Sequence, residues 1–256
     1  MLCIWCKQPS KKYAKEHIIP EVLGCPDGFW LEQGEVCAKC NNDLGHLDSA
    51  LADSFDFVRF FAGLPGKKGK LPKITSRSNI TISWEGNHPI IEINLGSKKV
   101  RAGSGRILNP PIDKLTSVRG SFETEGPLGT VTLKVPVAHD PKLPRALHKI
   151  SLAALVKLHS YEHVMQPHYD AVREFVRKGI GNREVLLGPP IEQDYYHYIV
   201  PMPDSNGFCD MMIVLCRNNF YVDLSPSQIA IPKLKDALRS IYGDKGWTWL
   251  PVNRLG

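Results

Sequence analysis

The stretch Glu16-His17-Ile18-Ile19-Pro20 stands between two paired-cysteine segments, Cys3-Ile4-Trp5-Cys6 and Cys37-Ala38-Lys39-Cys40. The second pair runs straight into Asn41-Asn42-Asp43-Leu44-Gly45-His46-Leu47-Asp48. Two Cys-x-x-Cys pairs separated by thirty residues can bring four thiolates to the corners of a tetrahedron, the geometry Zn²⁺ takes in a closed structural site. A redox Cys-x-x-Cys would not account for two matched pairs. A module of about 60 residues also has a thin core, so a metal staple has a physical purpose. Cys25, Cys209 and Cys216 stand alone and read as core thiols.

Inside the interval, a carboxylate sits next to an imidazole. On extended backbone the two side chains point to opposite faces. Glu16 can then bind a divalent cation while His17 deprotonates a water. Beyond the second pair, Leu44, Leu47 and Leu51 recur at helical spacing, so Asn41 and Asn42 open a helix. Asn41, Gly45 and Asp48 share one face of it, with Gly45 leaving room for close approach. Strand, strand and helix around one metal make a ββα-metal module.

Cys-x-x-Cys, then Glu-His-Ile-Ile-Pro-x-x-Leu-Gly, then Val-Cys-x-x-Cys-Asn-Asn-x-x-Gly-x-x-Asp resembles the HNH endonucleases, in particular those with a four-cysteine zinc frame. The resemblance covers residues 3 to about 53 and implies a metal-dependent nuclease that hydrolyses DNA phosphodiester bonds. It implies His17 as general base, and Glu16 and Asn41 as ligands of a catalytic Mg²⁺ or Mn²⁺. Cys3, Cys6, Cys37 and Cys40 would be the structural zinc ligands, with Asn42, His46 and Asp48 as supporting polar groups. The middle Asn of the family pattern is absent, since residues 18–36 contain no Asn. Gln33, Glu35 or a backbone carbonyl is left to orient His17. The alternative is a zinc-stapled DNA-binding protein without nuclease activity. One such site cuts one strand, so a double-strand break calls for a homodimer or two encounters.

Across 256 residues, 43% are hydrophobic and 23% charged, ordinary for a globular protein and wrong for a disordered one. No apolar run approaches the roughly 18–20 residues of a membrane span. The N-terminus lacks a signal-peptide pattern, and the expected location is the cytoplasm. Charge is unevenly spread. Residues 1–60 hold six Lys/Arg against nine acids, residues 61–119 eleven against three, and residues 120–256 fifteen against fourteen. The basic middle stretch is a footprint for a polyanion such as DNA. Lys67, Lys68, Lys70, Lys73 and Arg77 lead it, with Lys98, Lys99, Arg101 and Arg106 on a later turn.

The layout reads as α+β: a zinc-stapled ββα-metal module over 1–60, then a larger mixed α/β domain over 61–256, target-binding or regulatory. Strands are expected at 79–84, 90–95, 130–135, 195–200, 211–216 and 220–222, and helices at 144–163, 167–178 and 232–242. Tyr169, Val172, Phe175 and Val176 form one face of the second helix, which Gly179 stops. One competing signal is His159-Ser160-Tyr161-Glu162-His163, which fits the H-x-x-E-H pattern of inverted zinc peptidases. It is a three-letter match with no downstream acidic ligand marked out, and histidines favoured near a helix C-terminus by the macrodipole are the preferred reading.

Overall fold

Short apolar alternations and helical leucine spacing lay the elements out in chain order. The computed structural model describes residues 1–32, 34–61, 73–75, 80–85, 88–95, 98–108, 118–124, 130–135, 140, 142–188, 197–203, 207–216, 218–242 and 248–250. β1 (Glu16–His17) and β2 (Trp30–Leu31) precede α1 (Ala38–Phe61). Six strands follow: β3 (Ile74–Thr75), β4 (Ile80–Glu85), β5 (His88–Leu95), β6 (Lys98–Leu108), β7 (Val118–Thr124) and β8 (Thr130–Val135). Then come α2 (Leu143–Leu158), α3 (Tyr161–Val164), α4 (Asp170–Lys178), β9 (Val185–Leu187), β10 (His197–Pro203), β11 (Cys209–Leu215), β12 (Asn218–Val222), α5 (Ala230–Tyr242) and β13 (Thr248–Leu250).

The sequence suggests one boundary near residue 60, but the contacts divide the chain differently. One unit comprises Met1–Pro20, Cys25–Ala52 and Asp140–Gly256; the other comprises Glu21–Gly24 and Asp53–His139. The cysteine pairs, β1, β2 and the first turns of α1 therefore share a unit with the C-terminal half.

The first unit is built round α2. Of this helix only Arg145, Lys157 and Leu158 escape full burial, as expected of a helix apolar on nearly every face. It packs against β2, α3 and α4, and against β10, β11 and β12 of an antiparallel sheet ordered β10-β11-β12-β9-β13. The leucine face of α1 is buried through Leu44, Leu47, Ala50 and Leu51. Asp223, fully buried, accepts hydrogen bonds from the Ala230 and Ile231 N–H groups at 3.0 and 3.4 Å. Its carboxylate thus satisfies orphan donors at the start of α5.

The helix expected over 144–163 stops at Leu158. Ser160 is extended (φ −167°, ψ 160°) and its side chain accepts the His163 N–H, capping the separate α3. This cap outcompetes continuation of the helix. The helix expected over 167–178 opens with a 3₁₀ turn, Pro167–Tyr169, before α4, and ends at Gly179 in the left-handed region (φ 71°).

The second unit is an antiparallel meander, β3-β4-β5-β6-β7-β8, each strand paired with its sequence neighbour. A register shift interrupts the β5–β6 pairing between Ile90 and Glu92. Lys98, Lys99, Arg101 and Arg106 fall on β6, a strand rather than a turn. Lys73 is exposed, whereas Lys67, Lys68, Lys70 and Arg77 lie outside the described residues. No helix among the described residues is long and apolar enough to cross a membrane.

His148 on α2 is wholly buried, its Nδ1 2.8 Å from the Pro144 carbonyl and its ring edge-on to Phe175. Burial, with Arg183 facing it, pushes its pKa down to about 3. The unfolded chain binds this proton near 6.5, so stability is lost as pH falls from about 6.5 toward 3, by up to ~1.4 kcal/mol per pH unit. His148→Leu should flatten the acid limb of a plot of denaturant midpoint against pH. An unchanged limb would assign acid lability to other groups.

Candidate functional site

Each cysteine pair closes on itself by local hydrogen bonds. The Lys7 N–H donates to the Cys3 carbonyl at 2.8 Å, with Lys7 at φ 54°. Within the second pair the Cys40 N–H points at Cys37 Sγ (3.3 Å), and across the pairs the Cys37 N–H points at Cys3 Sγ (3.4 Å). All four sulfurs lie within 4.8 Å of one another, and Cys6 Sγ is 3.9 Å from Cys37 Sγ. A hydrogen bond from Cys40 holds Cys3 down at about 4. The same bond, with burial, pushes Cys40 up, and burial raises Cys6. A divalent ion at its centre would let every sulfur ionise. The donor set fits zinc, and Cys3, Cys6, Cys37 and Cys40 are the residues that would hold it. Cys209 and Cys216 are buried as expected, whereas Cys25 is only half-buried, its Sγ 3.1 Å from the Phe29 carbonyl.

The second pair opens α1, and the first pair is held by the C-terminal half. Arg173, almost fully buried, donates to the Ile4 carbonyl at 2.6 Å, to the Val164 carbonyl and to Asp170 at 2.7 Å. The Tyr161 hydroxyl accepts from the Leu2 N–H (2.9 Å) and donates to the Leu2 carbonyl (2.7 Å). Lys7 pairs with Asp170 at 2.5 Å.

β1 pairs antiparallel with β2, Glu16 opposite Leu31 and His17 opposite Trp30. Strand alternation turns Glu16 inward, 3% exposed, and leaves His17 half-buried. The His17 ring meets Trp30 edge-on, with centroids 6.3 Å apart. Lys15 Nζ lies 3.4 Å from the centroid of the same indole, a cation–π contact. Of the groups expected to stand in for the missing Asn, Glu35 accepts the Glu32 N–H at 2.6 Å, and Gln33 lies outside the described residues.

Glu16 meets an ammonium ion. Lys149 Nζ of α2 lies 2.5 Å from Glu16 Oε1 and 2.7 and 2.8 Å from the two Asp48 carboxylate oxygens. Lys149 is 2% exposed. Burial opposes its charge, yet Glu16 and Asp48 hold its pKa above the usual lysine value. Burial likewise lifts the Glu16 carboxyl, with Lys149 pulling against it. Among the described residues, Glu16 joins no cluster of three acidic, His or Cys donors. Lys149 thus already supplies a positive charge to the carboxylate that was expected, with Asn41, to bind a divalent ion. Asp48 is engaged by the same ammonium. Asn41 is half-buried in the first turn of α1 and Asn42 exposed. His46 Nδ1 is 2.8 Å from the Asp43 carbonyl. A Cβ at Gly45 would meet nothing within 4 Å, so this glycine serves no close approach. Lys149 was readable only as an oddity, a lysine within the apolar run of α2.

Residues 3–56 match the family model for HNH endonucleases. No curated protein and no solved structure matches the chain.

If the four-cysteine cluster holds zinc, wild type should copurify with about one equivalent, and Cys37→Ser should lose it and render residues 1–52 protease-sensitive. Retention of fold in a zinc-free preparation would dismiss the staple. Lys149→Met should cost about 3–5 kcal/mol of stability, since it strands a buried carboxylate. Adding Glu16→Gln should recover part of that loss, and strict additivity of the two changes would deny the coupling.

Proposed function

We propose that this chain is an HNH-type endonuclease that hydrolyses DNA phosphodiester bonds with His17 as general base. The observation that carries the reading is the coincidence of two things. The family match spans residues 3–56, and within it His17 is a half-buried imidazole on β1 whose neighbour Glu16 is tied through Lys149 to Asp48 of α1.

In this reading the His17 imidazole takes a proton from a water. The water oxygen attacks phosphorus, the bond to the 3′-oxygen breaks, and the departing oxygen takes a proton from solvent, leaving a 5′-phosphate and a 3′-hydroxyl. Glu16 acts through position, because its charge is matched by Lys149; that pair anchors β1 and so fixes His17. One His17 per chain cuts one strand, so nicking is the expected product and a double-strand break takes two chains or two encounters. The basic stretch 61–119, with Lys67, Lys68, Lys70, Lys73 and Arg77, supplies sequence-independent phosphate contacts. Each contact contributes about 0.9 to the slope of log affinity against log salt.

The test is nicking of supercoiled plasmid by the full chain in Mg²⁺ or Mn²⁺. His17→Ala should lower the rate by on the order of 10²–10⁴ while zinc content and melting stay near wild type. Equal rates in both proteins would remove His17 from the chemistry. A wild type that retains DNA but never nicks it would support the non-catalytic, zinc-stapled DNA-binding alternative, which the absent middle Asn favours.

A further inference from the structure

A second set of soft donors lies outside the Cys-x-x-Cys pairs. His159 caps the C-terminal end of α2, His163 sits in α3, and Cys209 opens β11. One ligand atom from each lies within 4.8 Å of the others. The two imidazoles stack at 4.1 Å between centroids. The cap at Ser160 creates this arrangement: it breaks the helix between the two histidines and turns His163 back over His159.

We propose that His159, His163 and Cys209 form a second zinc site with three protein ligands and a fourth position open to water. Round a tetrahedral Zn²⁺ the ligand atoms stand about 3.3–3.6 Å apart, given bonds of about 2.0–2.3 Å, so the cluster, already within 4.8 Å, closes on the ion by on the order of 1 Å. Two imidazoles and one thiolate suit zinc better than the harder Mg²⁺ or Ca²⁺. The Tyr169 hydroxyl is 2.7 Å from His163 Nε2, which leaves Nδ1 for the ion. Tyr169 then acts as the outer partner that holds a ligating imidazole in place. Cys209 is buried and His159 exposed, so the ion enters from the His159 side and the Cys209 thiol proton leaves to solvent on binding. Glu162, the acid of the H-x-x-E-H pattern, is exposed and outside the donor cluster, so the site does not need the peptidase reading.

The test is zinc stoichiometry of the reduced full chain, stripped with a chelator, retitrated with Zn²⁺ alone and measured by elemental analysis after gel filtration. Wild type should take up two equivalents and the His159→Gln/His163→Gln double variant one. Cys209→Ser is buried and can fail to fold. The exposed single variant His159→Gln therefore serves as the second arm, and should weaken the second equivalent at least tenfold while sparing the first. One equivalent in wild type would overturn the proposal, as would two at unchanged affinity in the double variant. The readout is independent of nicking, so it stands apart from the nuclease reading.

Discussion

An ammonium ion buried between two carboxylates sets the geometry of the first unit. A lysine taken from water costs several kcal/mol unless charges of opposite sign meet it. Lys149 is met by Glu16 from β1 and Asp48 from α1. α2 can therefore seat itself only where those two elements converge, and β1 and α1 are in turn held by α2. Arg173 and Tyr161 extend the same logic to the first cysteine pair by binding the carbonyl of Ile4 and the backbone of Leu2. The segment that matches the HNH family is thus incomplete without residues after 140.

This constraint also divides the roles of two neighbours. Strand alternation sends Glu16 to the buried side and leaves His17 half-buried. In the proposed reading, the pair that reads as ligand plus base acts as anchor plus base. An anchor of this kind serves a general base well, since misplacement of about 1 Å is costly in catalysis.

Membership of the two units does not follow chain order. Asp53–His139, which holds the whole basic stretch 61–119, groups with Glu21–Gly24 in the second unit and separates Cys25–Ala52 from Asp140–Gly256 along the chain. Insertion is tolerated where the flanking chain already belongs to a core of its own. Here the flanks are α1 and α2, linked through Asp48 and Lys149.

The cysteine cluster was legible in the sequence because its geometry is local: pairs at fixed spacing, with N–H groups aimed at sulfur. The helical face of Leu44, Leu47 and Leu51, the stop at Gly179 and the strands at 130–135 and 211–215 were legible for the same reason, since period and turn chemistry act within a few residues. The break at Ser160 carried a local signal that the apolar run concealed. The partner of Glu16 had no such signal. Lys149 is 101 residues from Asp48, and only the packing of α2 brings its ammonium to both carboxylates. The gathering of His159 and His163 with Cys209, and the assignment of residues 140 onward to the cysteine-bearing unit, belong to the same class. Spacing specifies neighbours along the chain, whereas the matching of buried charge and donor across it is decided when the helices pack.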